Sequence, residues 1–196
     1  MARRKMTSAD IFQKYHADPD IGRKSRGWFM KKQVELQKAR IGPQKIIRQG
    51  DNLQSRILPG RLYLFAYDAK LKETLPYWDQ YPLVFPYERT ADGFMGLNMH
   101  YLPYILRVRL LDRLLDFANN KNMNETTRLK YSYATVKASS KLRLAQPCLK
   151  RYLAGHVQSR FLEIPANEWH TAMMLPVERF VGANKQTVWS DSFSMV

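Results

Sequence analysis

The residues of this chain best suited to chemistry are clustered cations near its start. Residues 1–50 hold 13 Lys and Arg against 4 Asp and Glu, a net charge of +9. Lysine and arginine bind phosphate oxygens through charge-assisted hydrogen bonds, and such contacts require no sequence motif. Because few acids are available to pair with these cations, we predict that they contact nucleic-acid phosphates. The predicted DNA-binding residues are Arg3, Arg4, Lys5, Arg23, Lys24, Arg26, Lys31, Lys32, Lys38, Arg40, Lys45 and Arg48.

The charge of the whole chain favours the same class of partner. The 196 residues carry a net charge of +15, to which residues 51–103 contribute −1 and residues 104–196 contribute +7. A charge this large favours a polyanion through Coulomb attraction and counterion release. No pattern resembles a helix-turn-helix or a zinc finger, so we expect contacts to the DNA backbone without sequence specificity. Two alternatives stay open: an acidic protein surface as the partner, and a merely solvated charged face.

Patterns typical of enzymes are weak in this sequence. Metal-dependent nucleases need two or three converging carboxylates to hold Mg²⁺, and Asp20 with Glu35 offers a poor spacing on a basic predicted helix. The sequence contains neither a G-x-S-x-G nucleophile turn nor a G-x-x-x-x-G-K-[ST] phosphate loop. We therefore expect a non-enzymatic protein with no catalytic residues, no metal and no cofactor. A nuclease or a wall hydrolase is the outside alternative.

The histidines and the cysteine favour structural roles. No two histidines have the spacing of metal ligands on one helix. His100 lies in GFMGLNMHYLP, where a strand is predicted to enter a helix, and its neighbours offer neither a carboxylate nor a nucleophile. We interpret it as structural, with the imidazole bonded to nearby backbone. The single cysteine, Cys148, excludes an internal disulfide and is interpreted as a small packed residue. The other histidines are His16, His156 and His170.

Five aromatic residues cluster within 11 positions in the middle of the chain. Aromatic rings near basic groups can stack on unpaired bases. The prolines between these rings favour a loop packed onto the core instead, so we predict packing and keep base stacking as the alternative. The five residues are Tyr77, Trp78, Tyr81, Phe85 and Tyr87.

The middle of the chain, about residues 56–103, reads as β structure. Its first strand alternates two sets of apolar residues, and YPLVFPYER forms a second strand whose Pro82 and Pro86 indicate an edge or a bulge. Asp92-Gly93 marks a hairpin turn before FMGLNM. Three strands with tight turns predict a small SH3-like bent barrel or sheet, and RFLEI, near 160–164, could return to it. The alternating sets are Leu62, Leu64 and Ala66 against Tyr63, Phe65 and Tyr67.

The C-terminal half reads as mainly helical. Tyr104–Asn119 is the strongest pattern, because an apolar stripe recurs every three or four residues. Residues 124–139 read as a helix or a strand, with a helix favoured, and further helices are predicted at 147–158 and 165–175. Residues 184–196 read as a polar tail with Trp189 as an anchor. The stripe of the first helix consists of Leu106, Leu110, Leu114 and Phe117, with Arg107, Arg109 and Arg113 off it.

These patterns predict an α+β protein in two parts. Residues 1–50 form an extended basic N-terminal arm with short helices at Ser8–Tyr15 and Trp28–Arg40, which need a partner because short helices are marginal alone. Residues 51–196 form a single α+β core domain. No window has the length or apolar content of a transmembrane helix, and the N-terminus has no apolar signal region.

Four runs of the sequence form a recognisable set, namely LYLFAYDAKLKETLPYWDQYPLVFPYE, GFMGLNMHYLP, QPCLKRYLAGHVQSRF and LPVERFVGANKQTVWSDS. They resemble virion-associated proteins of T4-like tailed phages, with the DNA end protector family as the best match. The resemblance spans roughly Arg56–Ser192. It implies a non-enzymatic protein that attaches to the ends of packaged DNA and shields them from host exonuclease, and it supplies no catalytic residues.

The functional prediction is therefore a DNA-binding protein of the virion, present in the host cytoplasm during assembly. Its expected partners are the DNA phosphate backbone and other virion proteins, namely the portal, neck or baseplate, in a symmetric assembly without a membrane. The alternative is a structural component of the head–tail connector, tail or baseplate, which makes protein contacts through its arm and barrel. The neutral segment 51–103 keeps this alternative open, because it carries much of the resemblance and little charge.

Overall fold

Six antiparallel strands form the main sheet of the computed structural model, which describes residues 42–118 and 143–195. The strands in the described residues are β1 Leu53–Gln54, β2 Leu62–Leu64, β3 Trp78–Asp79, β4 Leu83–Thr90, β5 Gly93–Asn98, β6 Leu149–Leu153, β7 Phe161–Ile164 and β8 Phe180–Val181. Their order in the main sheet is β1-β7-β2-β4-β5-β6, so β1 and β6 are its edges. The remaining two strands, β3 and β8, pair in a small second sheet.

The open sheet corrects the predicted SH3-like barrel. The predicted returning strand is present as β7, but it inserts between β1 and β2. The sheet therefore extends past β7 to β1, and β7 does not pair with β6 to close a barrel. Closure would require pairing between the two edge strands, and β1 is only two residues long.

The predicted alternation in the first strand is confirmed, since its two sets of residues enter different clusters on opposite faces of the sheet. Leu62 and Leu64 join a large aliphatic core with the helices, against which Ala66 also packs. Tyr63, Phe65 and Tyr67 join an aromatic cluster with Phe94, Tyr152 and Trp78. Regular strand structure covers only Leu62–Leu64, and both faces of the sheet are buried at this point.

The predicted hairpin of the next two strands is also confirmed. β4 and β5 pair from Val84 opposite Asn98 to Thr90 opposite Gly93. The register shifts between Pro86 and Glu88, and this bulge accommodates a proline that has no amide hydrogen for the ladder. Of the two predicted outcomes for the prolines, a bulge is therefore observed, in a strand that has neighbours on both sides.

Four helices complete the described residues. They are α1 Pro43–Gln49, α2 Tyr104–Ala118, α3 Trp169–Met174 and α4 Lys185–Met195. Short 3₁₀ turns lie at Met99–Tyr101, Arg143–Cys148, Ala154–His156 and Ala166–Glu168. The predicted helix from Tyr104 is confirmed, and its Leu106, Leu110 and Leu111 are buried in the aliphatic core. Arg107, predicted to lie off the apolar stripe, is in contrast completely buried.

Two predictions for the C-terminal half are wrong. The segment 147–158 contains strand β6 between two 3₁₀ turns rather than a helix. Its apolar residues also suit a helix, but pairing with residues 93–97 of β5 satisfies its backbone in a sheet. The predicted polar tail forms helix α4, which Asn184 caps by accepting a hydrogen bond from the amide of Thr187 at 3.0 Å. The described part of the C-terminal half is therefore only partly helical.

Several predictions fall on residues outside the described ranges. These are the helices at Ser8–Tyr15 and Trp28–Arg40, most of the basic arm, and the helix at 124–139. The division of the chain at residue 50 stays a prediction. Within the described residues, α1 packs on the domain, with Ile47 buried in the aliphatic core.

The contact between β5 and β6 gives a first prediction. A methyl group at Gly93 would collide with the backbone oxygen of Tyr152 on β6. We expect Gly93→Ala to lower the free energy of unfolding by about 2 kcal/mol, measured by urea denaturation, because backbone cannot yield as a flexible side chain can. Gly155→Ala is the control, since a methyl group there meets nothing within 4 Å, and it should change stability by less than about 0.5 kcal/mol. Equal losses in both variants would contradict this explanation.

Candidate functional site

The predicted DNA-binding cations are divided between described and undescribed parts of the chain. Lys45 and Arg48 lie on α1, where both are exposed while Ile47 is buried. They are three residues apart and therefore share one face of the helix. The other predicted residues lie outside the described ranges: Arg3, Arg4, Lys5, Arg23, Lys24, Arg26, Lys31, Lys32, Lys38 and Arg40.

The excess positive charge also lies largely outside the described ranges. Residues 42–118 and 143–195 together hold 16 Lys and Arg against 12 Asp and Glu, a net charge of +4. The rest of the chain therefore carries +11 of the total +15. Of this +11, residues 1–41 contribute +7 and residues 119–142 contribute +4.

A buried polar centre lies where β3, the end of β5 and the following 3₁₀ turn meet. The carboxylate of Asp79 accepts hydrogen bonds from the Asn98 amide at 3.0 Å and the Tyr81 backbone amide at 3.1 Å. It also contacts Nδ1 of His100 at 2.8 Å. Asn98 in turn accepts from the backbone amide of His100 at 3.0 Å. All three polar side chains are buried, and each has partners from a distant part of the chain.

This arrangement corrects one part of the interpretation of His100. Its ring was expected to bond to nearby backbone, but the partner is the carboxylate of Asp79, 21 residues upstream. A carboxylate beside a histidine resembles the orienting pair of many catalytic sites. However, the side chain of His100 has no exposed area, and its Nε2 is buried without a hydrogen-bond partner. Since no substrate can reach the ring, the geometry favours a structural role.

A second buried polar cluster surrounds Arg107 on α2. Its guanidinium donates to the backbone oxygens of Leu102 at 2.6 Å and His100 at 3.2 Å, and lies 3.4 Å from a carboxylate oxygen of Glu178. The other oxygen of Glu178 accepts from the Tyr104 hydroxyl at 2.7 Å and from Lys185 at 3.0 Å. A buried arginine is tolerated only with such complete pairing.

The electrostatics of this cluster favour an ionised glutamate. Burial alone would raise the pKa of Glu178, but the surrounding positive charge outweighs burial and lowers the pKa to about 2. The groups that lower it are Arg107, His100, Lys185 and the hydroxyl of Tyr104. Neither Arg107 nor Glu178 was identified as a site residue from the sequence, because the two residues lie 71 positions apart in the chain.

A half-open cleft of about 590 Å³ lies between the loop after Tyr67 and strand β6. Its loop side carries Leu71 and Leu75, which are 60% and 42% exposed. Tyr101 and Lys150 also line it, with the lysine ammonium 4.0 Å from the centre of the tyrosine ring. A cleft of this size lies in the range that holds small organic ligands.

The aromatic cluster of the sequence is mainly part of the packing, as predicted. Trp78, Tyr81, Phe85 and Tyr87 are all buried, the last three in the aliphatic core. Tyr77 differs, because it is only partly buried and lines the cleft. The packed role of Cys148 is also confirmed, since its side chain is fully buried, and burial raises the pKa of its thiol to about 12.

The carboxylates considered for a nuclease site, Asp20 and Glu35, lie outside the described ranges. Within residues 42–118 and 143–195, no group of three or more His, Cys, Asp or Glu side chains is placed to hold a metal ion. A search of the same residues finds no helix with the length and apolar content needed to span a membrane.

The fold and the composition together define a strongly basic α+β protein built on an open antiparallel sheet. The sequence model of the family described as the phage T4 terminal DNA protecting protein matches residues 17–193 of this chain. The match covers most of the chain, and the chain belongs to this family. It confirms the resemblance to DNA end protectors in the sequence. No curated protein and no solved structure matches the chain.

The low pKa of Glu178 predicts an acid-sensitive fold. Because the folded pKa of about 2 lies below the usual value of 4.5, the stabilisation is complete above about pH 5 and is lost as the pH falls toward 2, by about 3 kcal/mol in total. Glu178→Gln should remove this pH dependence. It should also cost about 3 kcal/mol at pH 7, because Arg107 remains buried without its carboxylate. Urea denaturation between pH 7 and pH 3 measures both effects.

Glu73→Gln is the matched control for this prediction, because Glu73 is exposed. It should retain the wild-type stability and the wild-type dependence on pH. An acid-insensitive wild-type protein, or a Glu178→Gln variant with the same pH dependence as wild type, would contradict the assignment of the effect to Glu178.

Proposed function

We propose that this protein binds the ends of packaged phage DNA and protects them from host exonuclease, without an enzymatic activity of its own. The observation that carries the proposal is membership, over residues 17–193, of a family described as terminal DNA protecting. The strongly positive charge of the chain is consistent with a DNA partner, because it supplies attraction to phosphates wherever they occur.

The proposed contacts are phosphate contacts from the basic N-terminal residues. The cations from Arg3 to Arg48 outnumber the acids around them, so pairing within the segment cannot neutralise it. Lys45 and Arg48 are exposed on α1 and extend this basic sequence onto the described domain. Contacts of this kind fix the position of a protein on DNA without reading its sequence.

The proposed location is the virion, with the protein in the host cytoplasm during assembly. An end-binding protein must remain with the DNA after packaging, so contacts with the portal, neck or baseplate are part of the proposal. A purely structural role in the connector, tail or baseplate is not favoured, because the family description refers to terminal DNA.

The proposal predicts salt-dependent binding that prefers DNA ends. With about six phosphates neutralised, affinity for blunt linear duplex should fall roughly a thousandfold between 50 and 200 mM salt. A closed circle of the same sequence should bind more weakly, since it has no ends. Fluorescence anisotropy or filter binding of the full-length protein across a salt series measures both quantities. Absent or salt-insensitive binding would contradict the phosphate contacts, and equal binding to both forms would contradict end recognition.

Two triple variants separate specific phosphate contacts from overall charge. Changing Arg23, Lys24 and Arg26 to Gln should reduce the salt slope by about 3, roughly one for each lost contact. The control changes Lys72, Arg89 and Arg160 to Gln. It removes the same charge, but these three cations already bond within the domain to Asp68 and to the backbone oxygens of Ile57 and Leu53. We expect the control to retain the wild-type slope.

An exonuclease assay completes the test. Prior addition of the protein should slow degradation of linear DNA at the salt concentrations at which the protein binds. Incubation with DNA and Mg²⁺ alone should leave the DNA intact. Cleavage that Asp20→Ala or Glu35→Ala abolishes would support the nuclease alternative instead.

A further inference from the structure

The ammonium group of Lys150 lies in the cleft without a carboxylate partner in the described parts of the chain. It sits over the ring of Tyr101 at 4.0 Å, and its side chain is partly buried. Its neighbour Arg151 is different, because it binds the carboxylate of Asp92 at 2.8 and 2.9 Å. Burial lowers the pKa of Lys150, and no carboxylate counteracts this effect. The cleft thus offers a partly desolvated cation that an anion would stabilise.

The rest of the cleft has no free acid. Asp79 is part of the lining, but its carboxylate is buried and bonded to His100 and Asn98. Asp92, also in the lining, is paired with Arg151. Lys70, also in the lining, is exposed. The net charge of the lining therefore favours a ligand with a negative group near Lys150 and Lys70.

The walls of the cleft favour a planar apolar group beside that anion. Tyr77 is partly buried, and its ring centre lies 6.1 Å from that of Tyr101 at an angle of 38°. Leu71 and Leu75 present exposed apolar surface on the same side. Aromatic rings beside a cation are the arrangement by which proteins stack bases while they hold the attached phosphate.

We propose that this cleft receives the unpaired terminal nucleotide of a DNA end, with its base against Tyr77 and its phosphate at Lys150. The inference rests on the proposed function and gives it a specific site. Phosphodiester groups are the same along the whole duplex, whereas a base that is unpaired, by fraying or in an overhang, is present at an end. An exonuclease must engage this nucleotide, so its insertion in the cleft blocks the first cleavage.

The test uses full-length protein and duplexes of one length with 2-aminopurine, a fluorescent base, at an unpaired terminal position or at an internal one. Binding should change the fluorescence of the terminal probe and leave the internal probe unchanged. Tyr77→Leu should abolish the terminal change and weaken end binding at least about fivefold, the lower limit for a lost base–aromatic stack. Lys150→Met should weaken binding to a similar degree and reduce the salt slope by about one.

Two controls match these variants. Lys72→Met removes a lysine from the same loop region, but Lys72 bonds to Asp68 and does not line the cleft. Phe193→Leu removes an aromatic ring that is 56% exposed on α4. Both should bind ends and change the terminal probe as wild type does. A circular dichroism spectrum and melting temperature close to wild type verify that Tyr77→Leu and Lys150→Met remain folded, and Lys150→Met tests the site without altering a ring.

The outcomes separate the two levels of the proposal. If wild type fails to prefer ends, the proposed function itself is wrong. Two results would show that only the cleft assignment is wrong. Wild type could prefer ends without a change in the fluorescence of the terminal 2-aminopurine, or both cleft variants could bind ends as wild type does. The cleft would then be assigned to a peptide of another virion protein.

Discussion

The described domain depends on the pairing of polar groups around one buried residue, His100, although the Nε2 atom of its ring has no hydrogen-bond partner. Its ring contacts the carboxylate of Asp79, and its backbone oxygen accepts from Arg107 at 3.2 Å and from Trp189 at 2.9 Å. These partners belong to β3, α2 and α4. His100 therefore connects the small sheet and two helices to the end of β5. Leaving any of these buried groups without a partner would cost more than the bond itself contributes. Such a centre tolerates few alternative arrangements of the elements around it.

The same centre sets the geometry of the cleft. Tyr77 and Trp78 directly precede Asp79, and Tyr101 directly follows His100. The aromatic residues that line the cleft are therefore held next to the two partners of the buried contact between Asp79 and His100. Phe180 on β8 adds a third contact, since its ring packs edge-on against Tyr101 with the ring centres 5.2 Å apart. Rings that are already ordered lose little conformational entropy when a ligand stacks on them. The contacts that hold these rings in place therefore favour a binding site in the cleft.

Local patterns in the sequence predicted the parts of the fold that local physics decides. The alternation in the first strand, the hairpin at Asp92-Gly93 and the helix from Tyr104 each follow from the spacing of apolar residues and from turn residues. Strand β6 was missed because Leu149, Tyr152 and Leu153 also fit a helical stripe. Only the pairing with β5, which is distant in sequence, favours a strand over a helix there. The pairing of Asp79 with His100 and of Arg107 with Glu178 was missed for a related reason. A charged residue in a sequence gives no sign of a partner 21 or 71 residues away, although an acid within the aromatic run around Asp79 is a hint of burial.

The charge of the chain favours a polyanionic partner, but it does not locate a site that would distinguish DNA ends. Attraction to phosphates depends on charge density, which is nearly uniform along a duplex. Recognition of an end requires a contact with something that the interior lacks, and the unstacked terminal base is such a feature. The weakly charged described domain, at +4 over 130 residues, is suited to that second task. Under the proposed function, the contribution of this domain to binding would depend on the fit of a base and a phosphate in the cleft, because the domain has little general attraction of its own. The basic N-terminal residues would then hold the domain near DNA. A protein built in this way would bind weakly along the duplex and more tightly where the duplex ends.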